Sequence, residues 1–281
     1  MKHFGTVFIV GAGPGNPDLI TVRGLTCLRE ADVVLHDRLV DQRLLGEVKP
    51  AAEIISVGKE AGEEDFQQEY IHWLMIQKAR EGKDVCRLKG GDPFVLGRGG
   101  EEAHALSEAG ISFEVVPGVS SAIAVPAFAG IPVTHRHHAH SFIVIAGSRS
   151  HDLESPEWHA ASALLQAGGT VVVLMGLSRV SLIAETLIAR KCVATTSVAV
   201  ISRGTYLTQD CRFGTLEDIG TRTDGVKPPA IIVMGEVVRL RHESRSKTTT
   251  VGALYERPGR SQTAPTALEL AIGNFVVGDT K

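Results

Sequence analysis

The chain carries, at residues 87 to 102, the stretch RLKGGDPFVLGRGGEE, directly after Asp84-Val85-Cys86. Its sixteen positions hold five glycines, one proline, three basic residues and three acids. Glycine weakens strands and helices because it loses much conformational entropy on folding. Such a run is typical of a place where backbone comes close to a ligand, after a strand and before a helix. A flexible surface connection is the alternative interpretation.

A second glycine loop follows the apolar run Val7–Val10 and reads GAGPGNP from Gly11 to Pro17. A dinucleotide-binding loop would need the pattern GxGxxG at the start of a helix. Here the third glycine comes one residue early, and the sixth position is Asn16. Pro14 also removes a backbone N–H that a pyrophosphate would use. We therefore expect this loop to lie against a ligand that is not a phosphate.

Short apolar runs alternate with helical patterns in the first half of the chain. The runs predict strands, buried on both faces, at Val7–Val10, Val33–Leu35, Ile54–Val57, Val85–Leu88 and Phe113–Val116. Three helices are predicted. The first has Thr21 as its N-cap and apolar positions at Val22, Leu25 and Leu28. The second carries the apolar positions Ile71, Leu74, Met75 and Ala79 and ends at Gly82, and the third runs from Glu101 to Ala109. Strands that alternate with helices indicate a parallel sheet covered on both sides.

The second half repeats this α/β pattern after a linker predicted at Ile131–His140. Strands are predicted at Phe142–Ala146, Val171–Leu174, Ser197–Ile201 and Ile231–Met234, helices near His159–Ala167 and Ser181–Ala189, and an antiparallel arm at Gln209–Gly214. A chain of 281 residues exceeds one typical domain. The fold class is therefore two α/β domains, residues 1–133 and 134–240, with a cleft between them. Residues 241–281 are predicted to form a polar, flexible tail, in which the apolar patch Leu268–Val277 could pack locally.

Composition narrows the class of protein further. The net charge of −3 gives no support for nucleic-acid binding through bulk electrostatics. The four cysteines are scattered without a CxxC pair, which favours free thiols in a reducing compartment over disulfides or zinc ligation. No apolar stretch reaches the length of a membrane span, and the first residues lead straight into a strand without a signal peptide. We expect a cytoplasmic enzyme with no membrane partner.

Taken together, the motifs resemble those of the tetrapyrrole (corrin/porphyrin) methylases over about residues 5 to 240. Besides the two glycine loops, the motifs in the family's order are Leu19–Gly24, His36–Val40, Val57–Lys59, Val116–Ala122, Gly130–Arg136 and Lys227–Ala230. The match is closest to the members that act on uroporphyrinogen III. The polar tail departs from the family, which usually stops near Gly235–Val238.

The resemblance implies a reaction as well as a fold. The substrate would be uroporphyrinogen III, whose electron-rich ring carbons 2 and 7 attack the sulfonium methyl of S-adenosylmethionine, giving precorrin-2 by way of precorrin-1 and leaving S-adenosylhomocysteine. This chemistry needs neither a metal nor a covalent nucleophile. The enzyme has to align the methyl with the ring carbon, exclude water and accept the proton that the ring system loses. Family members associate as homodimers, the commonest closed assembly.

Two residues are predicted to be catalytic. Asp37 follows the strand Val33–Leu35, at the carboxyl edge where active sites of α/β proteins gather; a turn-capping Asp is the alternative. The resemblance makes Asp37 the proton acceptor and Lys59, just past the strand Ile54–Val57, the proton donor; a solvated Lys is the alternative there. A carboxylate and an ammonium group hold opposite protonation states at neutral pH, which suits this pairing.

The resemblance also implies which residues bind the cofactor in the cleft. From the first domain they are Pro14, Gly90, Gly91, Asp92, Val95, Ser120 and Ser121, and from the second they are Met175, Gly204 and Ala230. Backbone groups at the glycines can hydrogen-bond the adenine, the ribose and the amino-acid end. Met175 offers an adaptable apolar wall, although the preceding Val171–Leu174 equally fits an ordinary core position.

Basic and imidazole side chains raise two further questions. The substrate's eight carboxylates call for arginines, and the candidates are Arg38, Arg98 and Arg136, of which we expect two to bind and any one to be a surface salt-bridge partner instead. The histidine-rich stretch at residues 135 to 140 suggests zinc or nickel, yet no acid or cysteine lies close by in sequence, so no metal is expected. Three of its histidines, His137, His138 and His140, replace residues that are commonly Asp, Tyr and Gln in the family.

Two other functions are weighed against this reading. A methylase that acts on a later cobalamin precursor would share the fold and the cofactor, but its glycine loop usually differs from Lys89–Phe94. A non-catalytic cofactor-binding regulator would leave Asp37 and Lys59 unexplained. No dehydrogenase domain precedes the glycine loop, so we expect a monofunctional methylase. Whether the product feeds siroheme or cobalamin stays open.

Overall fold

The computed structural model describes residues 3–58, 64–148 and 152–241, and only the backbone of residues 64–67. The first five strands form one sheet in the order β3-β2-β4-β1-β5, and every pairing between neighbours is parallel. They are β1 (Val7–Gly11), β2 (Val33–His36), β3 (Glu53–Ser56), β4 (Val85–Lys89) and β5 (Phe113–Val116). The predicted parallel sheet is thus confirmed, with each strand within one residue of its predicted position.

Helices join these strands and cover the sheet. They are α1 (Val22–Glu30), the short α2 (Gln42–Leu45), α3 (Glu64–Arg80) and α4 (Gly99–Glu108), followed after β5 by α5 (Ser121–Phe128). Thr21 caps α1 as predicted, since its hydroxyl accepts a hydrogen bond from the Gly24 N–H. Two apolar clusters, one on each face, pack the helices against the sheet.

The second sheet has the order β6-β7-β10-β8-β9 and is mixed. Its strands are β6 (Phe142–Ala146), β7 (Thr170–Leu174), β8 (Ser197–Ser202), β9 (Asp210–Thr215) and β10 (Ala230–Met234). β6 and β7 are parallel, whereas β10 runs antiparallel to both β7 and β8, and β9 is the predicted antiparallel arm. Its helices are α6 (Pro156–Gln166), α7 (Val180–Ala189) and the short α8 (Ile219–Arg222).

Two details of the prediction are wrong. β3 is mostly exposed rather than buried on both faces, because it is the edge strand of its sheet. Val22 is 86% exposed, although it was expected on the buried face of α1. Apolar identity alone does not say which strand ends up at an edge or which turn of a helix stays uncovered.

The helix α5 connects the two halves of the structure. It comes before the predicted boundary at residue 133, yet its Ala122 and Val125 belong to the same apolar cluster as Val172 and Ile231 of the second sheet. The described residues up to Arg241 form one compact unit, so the division into residues 1–133 and 134–240 stays a prediction. The tail prediction for 241–281 lies, apart from Arg241, outside the described residues.

The cysteines are free thiols, as their scattered spacing predicts. Cys27, Cys86 and Cys192 are buried, Cys211 is half-buried, and all four are free. Among the helices of the described ranges, none combines the length and apolarity that crossing a membrane requires.

Candidate active site

Three loops meet at the carboxyl edge of the first sheet, after the neighbouring strands β4, β1 and β5. Gly13 and Gly91 exchange backbone hydrogen bonds, with N–O distances of 3.2 and 2.7 Å. A Cβ on Gly118 would lie 2.3 Å from the Gly91 carbonyl oxygen, and one on Gly11 would lie 2.5 Å from the Gly118 Cα. Only glycine permits this close approach of backbones. We call this junction of residues 11–13, 90–92 and 117–118 the glycine platform.

The Asp92 carboxylate links two of the loops that form the glycine platform. Its Oδ2 accepts a hydrogen bond from the Gly118 N–H at 3.0 Å, and its Oδ1 accepts one from the Phe94 N–H at 2.8 Å. The carboxylate therefore joins the loop after β4 to the loop after β5. This contact explains why an acid follows the paired glycines, independently of the cofactor role predicted for it.

The surface of the platform is open at Gly90 and Gly91. A Cβ at Gly90 would meet no atom within 4 Å, and the nearest atom to one at Gly91 is the Ser121 nitrogen at 3.9 Å. Beside them, Ser120 caps α5 by accepting a hydrogen bond from the Ala122 N–H. Exposed backbone next to a helix start is a surface that a ligand can approach closely.

Of the remaining cofactor candidates, Val95 is exposed and Pro14 half-buried, as is Ala230 at the start of β10. Met175 is not a core residue, because the residue is 52% exposed and its φ of 59° lies in the left-handed region directly after β7. Gly204 has a packing role of its own, since a Cβ there would lie 2.2 Å from a methyl of Val125 in α5.

Two residues that the sequence reasoning did not identify bring the loop after β8 to the N-terminal glycine loop. The Asn16 N–H donates to the Thr205 hydroxyl at 3.0 Å. The ring of Tyr206 lies so close to Gly15 that a Cβ there would be 2.4 Å from it. Through these contacts the candidate positions of the two sheets belong to one connected region.

Asp37 lies at the end of β2, next to the platform, and both of its carboxylate oxygens are held. Its Oδ1 accepts from an Arg87 terminal nitrogen at 2.6 Å, and its Oδ2 from the Gly90 N–H at 3.3 Å. Arg87 in turn donates through Nε to Glu102 Oε1 at 3.0 Å, and the Lys89 ammonium donates to the same oxygen at 2.8 Å. We call Asp37, Arg87, Lys89 and Glu102 the buried charge network.

Three members of this network are withdrawn from solvent. The side chains of Arg87, Lys89 and Glu102 are 2%, 4% and 0% exposed, while Asp37 keeps 33%. The sequence reasoning missed all three, because charged residues are rarely found fully buried. A signal was available: Arg87 lies inside the strand Val85–Leu88 that was predicted to be buried on both faces, and Lys89 follows it directly.

The network sets the protonation of its members. Burial alone raises the pKa of Asp37, but the charges of Arg87 and Lys89 act against it and leave that pKa below its ordinary value. Burial and the charge of Arg87 lower the pKa of the Lys89 ammonium. Asp37 is therefore an ionised, oriented carboxylate at the rim of the open platform.

The other predicted catalytic residue, Lys59, lies outside the described residues. Of the predicted substrate arginines, Arg38 follows Asp37 directly and is exposed. Arg98 precedes α4 and forms an ion pair with Glu101 at 2.7 Å. Arg136 is exposed in the stretch between α5 and β6.

The histidine-rich stretch forms a local turn. The His135 Nδ1 accepts from the His137 N–H at 3.2 Å, and the ring centroid of His135 lies 4.9 Å from that of His138. Across the ranges that the structure describes, no three His, Cys, Asp or Glu side chains are arranged to hold a metal ion.

The arrangement of two α/β sheets with glycine loops at the strand ends defines a class, and comparison with known proteins identifies it. The profile of the tetrapyrrole (corrin/porphyrin) methylases matches residues 6–220. The chain belongs to this family, and the predicted fold class is confirmed.

Individual relatives are close. The uroporphyrinogen-III C-methyltransferase of Methanocaldococcus jannaschii is 47% identical over 239 residues, which cover 84% of this chain and 98% of that protein. Siroheme synthase 1 of Pectobacterium atrosepticum is 47% identical over 85% of this chain but only 49% of its own length. The chain thus spans about half the length of the siroheme synthases that it matches.

A solved structure of the same kind of enzyme is also similar to this chain in fold and sequence. The uroporphyrin-III C-methyltransferase of Thermus thermophilus, complexed with S-adenosylhomocysteine, is 39% identical with a TM-score of 0.73, over 84% of this chain and 100% of that one.

Proposed function

We propose that the protein transfers methyl groups from S-adenosylmethionine to carbons 2 and 7 of uroporphyrinogen III, giving precorrin-2 by way of precorrin-1 and S-adenosylhomocysteine. The observation that carries the proposal is the placement of Asp37. An ionised carboxylate, fixed by Arg87 and by the Gly90 N–H, lies at the rim of an open glycine platform in a member of this family. Its relatives and the complexed neighbour support the choice of substrate and cofactor.

The platform fits the cofactor. A Cβ at Gly90 would project into open space, and the backbone at Gly90 and Gly91 is accessible beside the start of α5. The proposed cofactor contacts beside the start of α5 are Gly90, Gly91, Ser120 and Ser121. Met175, with its exposed thioether chain, is the proposed contact after β7. The other proposed contacts are Pro14, Asp92, Val95, Gly204 and Ala230. When bound, the cofactor supplies an electrophilic methyl group on a sulfonium.

The chain's own groups would handle charge and protons. The cofactor would give up its methyl to a ring carbon and keep the electron pair of the broken S–CH₃ bond, and the methylated ring system would then carry a positive charge. The carboxylate of Asp37 stabilises this cation through its charge and then accepts the proton that the ring loses. Lys59 is the proposed proton donor. Arg38, Arg98 and Arg136 are the proposed partners of the substrate carboxylates.

Methylation of a later cobalamin precursor is the alternative, and the relatives do not favour it. Both the methyltransferase and the siroheme synthase matched at 47% identity carry names tied to uroporphyrinogen III or siroheme. We place the protein in siroheme or cobalamin biosynthesis, in the cytoplasm, with no nucleic-acid partner. We also propose separate domains at residues 1–133 and 134–240, with the tail 241–281 outside both.

The test is an incubation of the purified full chain with uroporphyrinogen III and methyl-labelled S-adenosylmethionine under anaerobic conditions. Mass analysis should show a product with two added methyl groups and an intermediate with one. A reaction without the porphyrinogen and one with S-adenosylhomocysteine in excess serve as controls. If uroporphyrinogen III gains no mass while a later corrin precursor does, the alternative replaces the proposal.

We further propose that the protein is a homodimer. Light scattering at micromolar concentration should give twice the chain mass of 30.0 kDa. A particle of a single chain mass at that concentration contradicts it.

A further inference from the structure

The buried charge network extends well below the open surface. Glu102, on α4, is fully buried and holds both cations of β4 with one oxygen, Oε1. The Gln68 amide nitrogen of α3 approaches the same oxygen at 3.4 Å and lies 3.1 Å from His72 Nε2. The other oxygen, Oε2, is buried with no hydrogen-bond partner in the part of the chain that the structure describes. The contacts of Glu102 are thus concentrated on the oxygen that faces Arg87 and Lys89.

The charges of the network balance in only one state of Asp37. Arg87 and Lys89 contribute two positive charges, and Glu102 contributes one negative charge. The four side chains are neutral together only when Asp37 is ionised. Protonation of Asp37 leaves an uncompensated positive charge in a region that water does not reach, and such a charge is costly.

Arg87 also fixes the direction of the carboxylate. It bridges Glu102 and Asp37, with Nε at 3.0 Å from one and a terminal nitrogen at 2.6 Å from the other. A guanidinium donates in fixed directions, so its position on Glu102 determines where it meets Asp37. The Gly90 N–H donates to the second Asp37 oxygen, and the Asp37 side chain stays partly exposed beside the platform.

We infer that Arg87 and Glu102 are positioning residues that hold Asp37 as an oriented carboxylate toward the reacting ring carbon. Neither touches the open platform, so they act through Asp37. After each methyl transfer the same charge balance favours release of the accepted proton from Asp37 to solvent water, which reaches its partly exposed carboxyl, and the carboxylate is restored for the second transfer. The inference rests on the proposed role of Asp37 as proton acceptor.

Among the described residues, which do not include its proposed partner Lys59, few charged or titratable groups lie close to Asp37. Those on the elements packed around it are Arg87 and Lys89 on β4, Glu102 on α4, His72 on α3 through Gln68, and the chain neighbours His36 and Arg38. Of these, Arg87 is the one that donates directly to the carboxylate.

Two substitutions should move the titration of Asp37 in opposite directions. Arg87→Met removes the adjacent positive charge, so Asp37 should protonate at a pH higher by about one unit or more. Glu102→Gln removes the anion that compensates Arg87 and Lys89, so Asp37 should protonate at a lower pH. In that variant the amide nitrogen can take the place of Oε2, which has no partner among the described residues. A merely structural disturbance would not give shifts of opposite sign.

The measurement is an NMR titration of the full chain labelled with 13C at the aspartate carboxyl. The Asp37 signal is assigned by its loss in Asp37→Asn, and circular dichroism checks folding at each pH. Arg190→Met is the matched control, because Arg190, at the end of α7, is a largely buried arginine paired with Glu154 just before α6, and it should leave the Asp37 titration unchanged. If Arg87→Met does not fold, Glu102→Gln decides alone.

Turnover gives the second readout. In Arg87→Met the acidic limb of the pH profile should move up with the NMR titration, and kcat should fall about 10- to 100-fold at nearly constant KM for both substrates. Unshifted titrations in the folded variants, with turnover lost in Asp37→Asn, overturn this inference alone. Wild-type turnover in Asp37→Asn removes the proposed role of Asp37 and this inference with it.

Discussion

The central strands of the two sheets bury different side chains. β4 and β10 are each five residues long and third in a five-stranded order. β4 encloses Arg87 and Lys89, whereas β10 encloses the wholly apolar run Ile231–Met234. Buried charges cost free energy unless they are paired and hydrogen-bonded, and apolar burial stabilises without that condition. β10 therefore stabilises its sheet by apolar burial alone, whereas β4 depends on the pairing of its buried charges.

The two sheets of this compact unit therefore have different roles, one carrying the candidate catalytic residues and the other an apolar core. In the first sheet, an ion network under the carboxyl edge holds Asp37 beside a backbone platform. The second sheet builds an apolar core and contributes loops, among them the residues after β7 and β8. Substitutions on β4 or its partners should therefore affect turnover first, and those on β10 should affect stability first.

The largest effect on turnover is expected from a substitution in the buried charge network. Asp37→Asn keeps the size and most of the polarity of the side chain but removes the base, so turnover should fall by about 10²- to 10⁴-fold. The Gly90 N–H still has an oxygen to meet, so the affinity for S-adenosylhomocysteine should change little. A turnover assay beside calorimetric titration of S-adenosylhomocysteine measures both. Lost cofactor binding with retained turnover would contradict the assignment.

The reverse pattern is expected from Gly90→Val. The branched side chain would fill the open space above the platform without straining the backbone, so cofactor affinity should collapse while the fold is kept. Gly91→Val is less clean, because Gly91 has a φ of +68° that a β-branched residue rarely adopts. The same calorimetric titration decides; undiminished binding in Gly90→Val would place the cofactor elsewhere.

Much of the fold can be predicted from the sequence, for a physical reason. Parallel strands buried by helices have to be short continuous apolar runs, and such runs locate β1, β2 and β4 within a residue. Edge exposure is a property of the assembled sheet, so the exposure of β3 does not follow from its apolar residues. Nor does the packing of α5 on the second sheet, which depends on Gly204 accommodating Val125.

The candidate site is predicted less completely. Glycine spacing indicates where backbone comes close, and the junction of Gly11, Gly91 and Gly118 follows that expectation. The ion network was not predicted, since each of its cations finds a carboxylate only through the sheet register and the position of α4. A charged residue alternating with apolar ones inside a buried strand is the sequence signal for such a network.

The next effect is expected in the apolar strand. Ile232 in β10 is 1% exposed and packs in the core of the second sheet. Ile232→Ala should lower the free energy of unfolding by about 2–5 kcal/mol, because it removes buried methyl groups and leaves a cavity. Turnover per folded molecule should stay near that of the wild type. Chemical denaturation and activity at a temperature well below the transition measure the two; a loss of turnover larger than the loss of folded protein would break the comparison.

Acid should weaken the first sheet before the second. The charge of Arg87 holds the pKa of Asp37 below its ordinary value against the effect of burial, and the hydrogen bond from Lys49 lowers the pKa of Asp32. A carboxyl whose pKa is lowered by folding contributes stability above its unfolded pKa, and this stability is lost as the pH falls through the folded pKa. Hydrogen exchange between pH 6 and pH 3, corrected for intrinsic rates, should show β4 amides losing more protection than β10 amides. Equal losses in both strands would contradict this expectation.

The smallest effect compares helix starts in the two halves. Thr21, at the N-cap of α1, accepts from the Gly24 N–H at 3.1 Å and donates to the carbonyl of Pro117, a residue of the glycine platform, at 3.4 Å. Ser155 occupies the N-cap of α6, and its side chain makes no capping hydrogen bond there. Thr21→Ala should therefore lower the free energy of unfolding by about 1 kcal/mol, whereas Ser155→Ala should be close to neutral. Denaturant titrations of both variants measure the difference. If both variants lose the same free energy of unfolding, the capping hydrogen bond of Thr21 does not distinguish the two helices. A larger loss in Ser155→Ala would mean that α6 depends more on its N-cap side chain than α1 does.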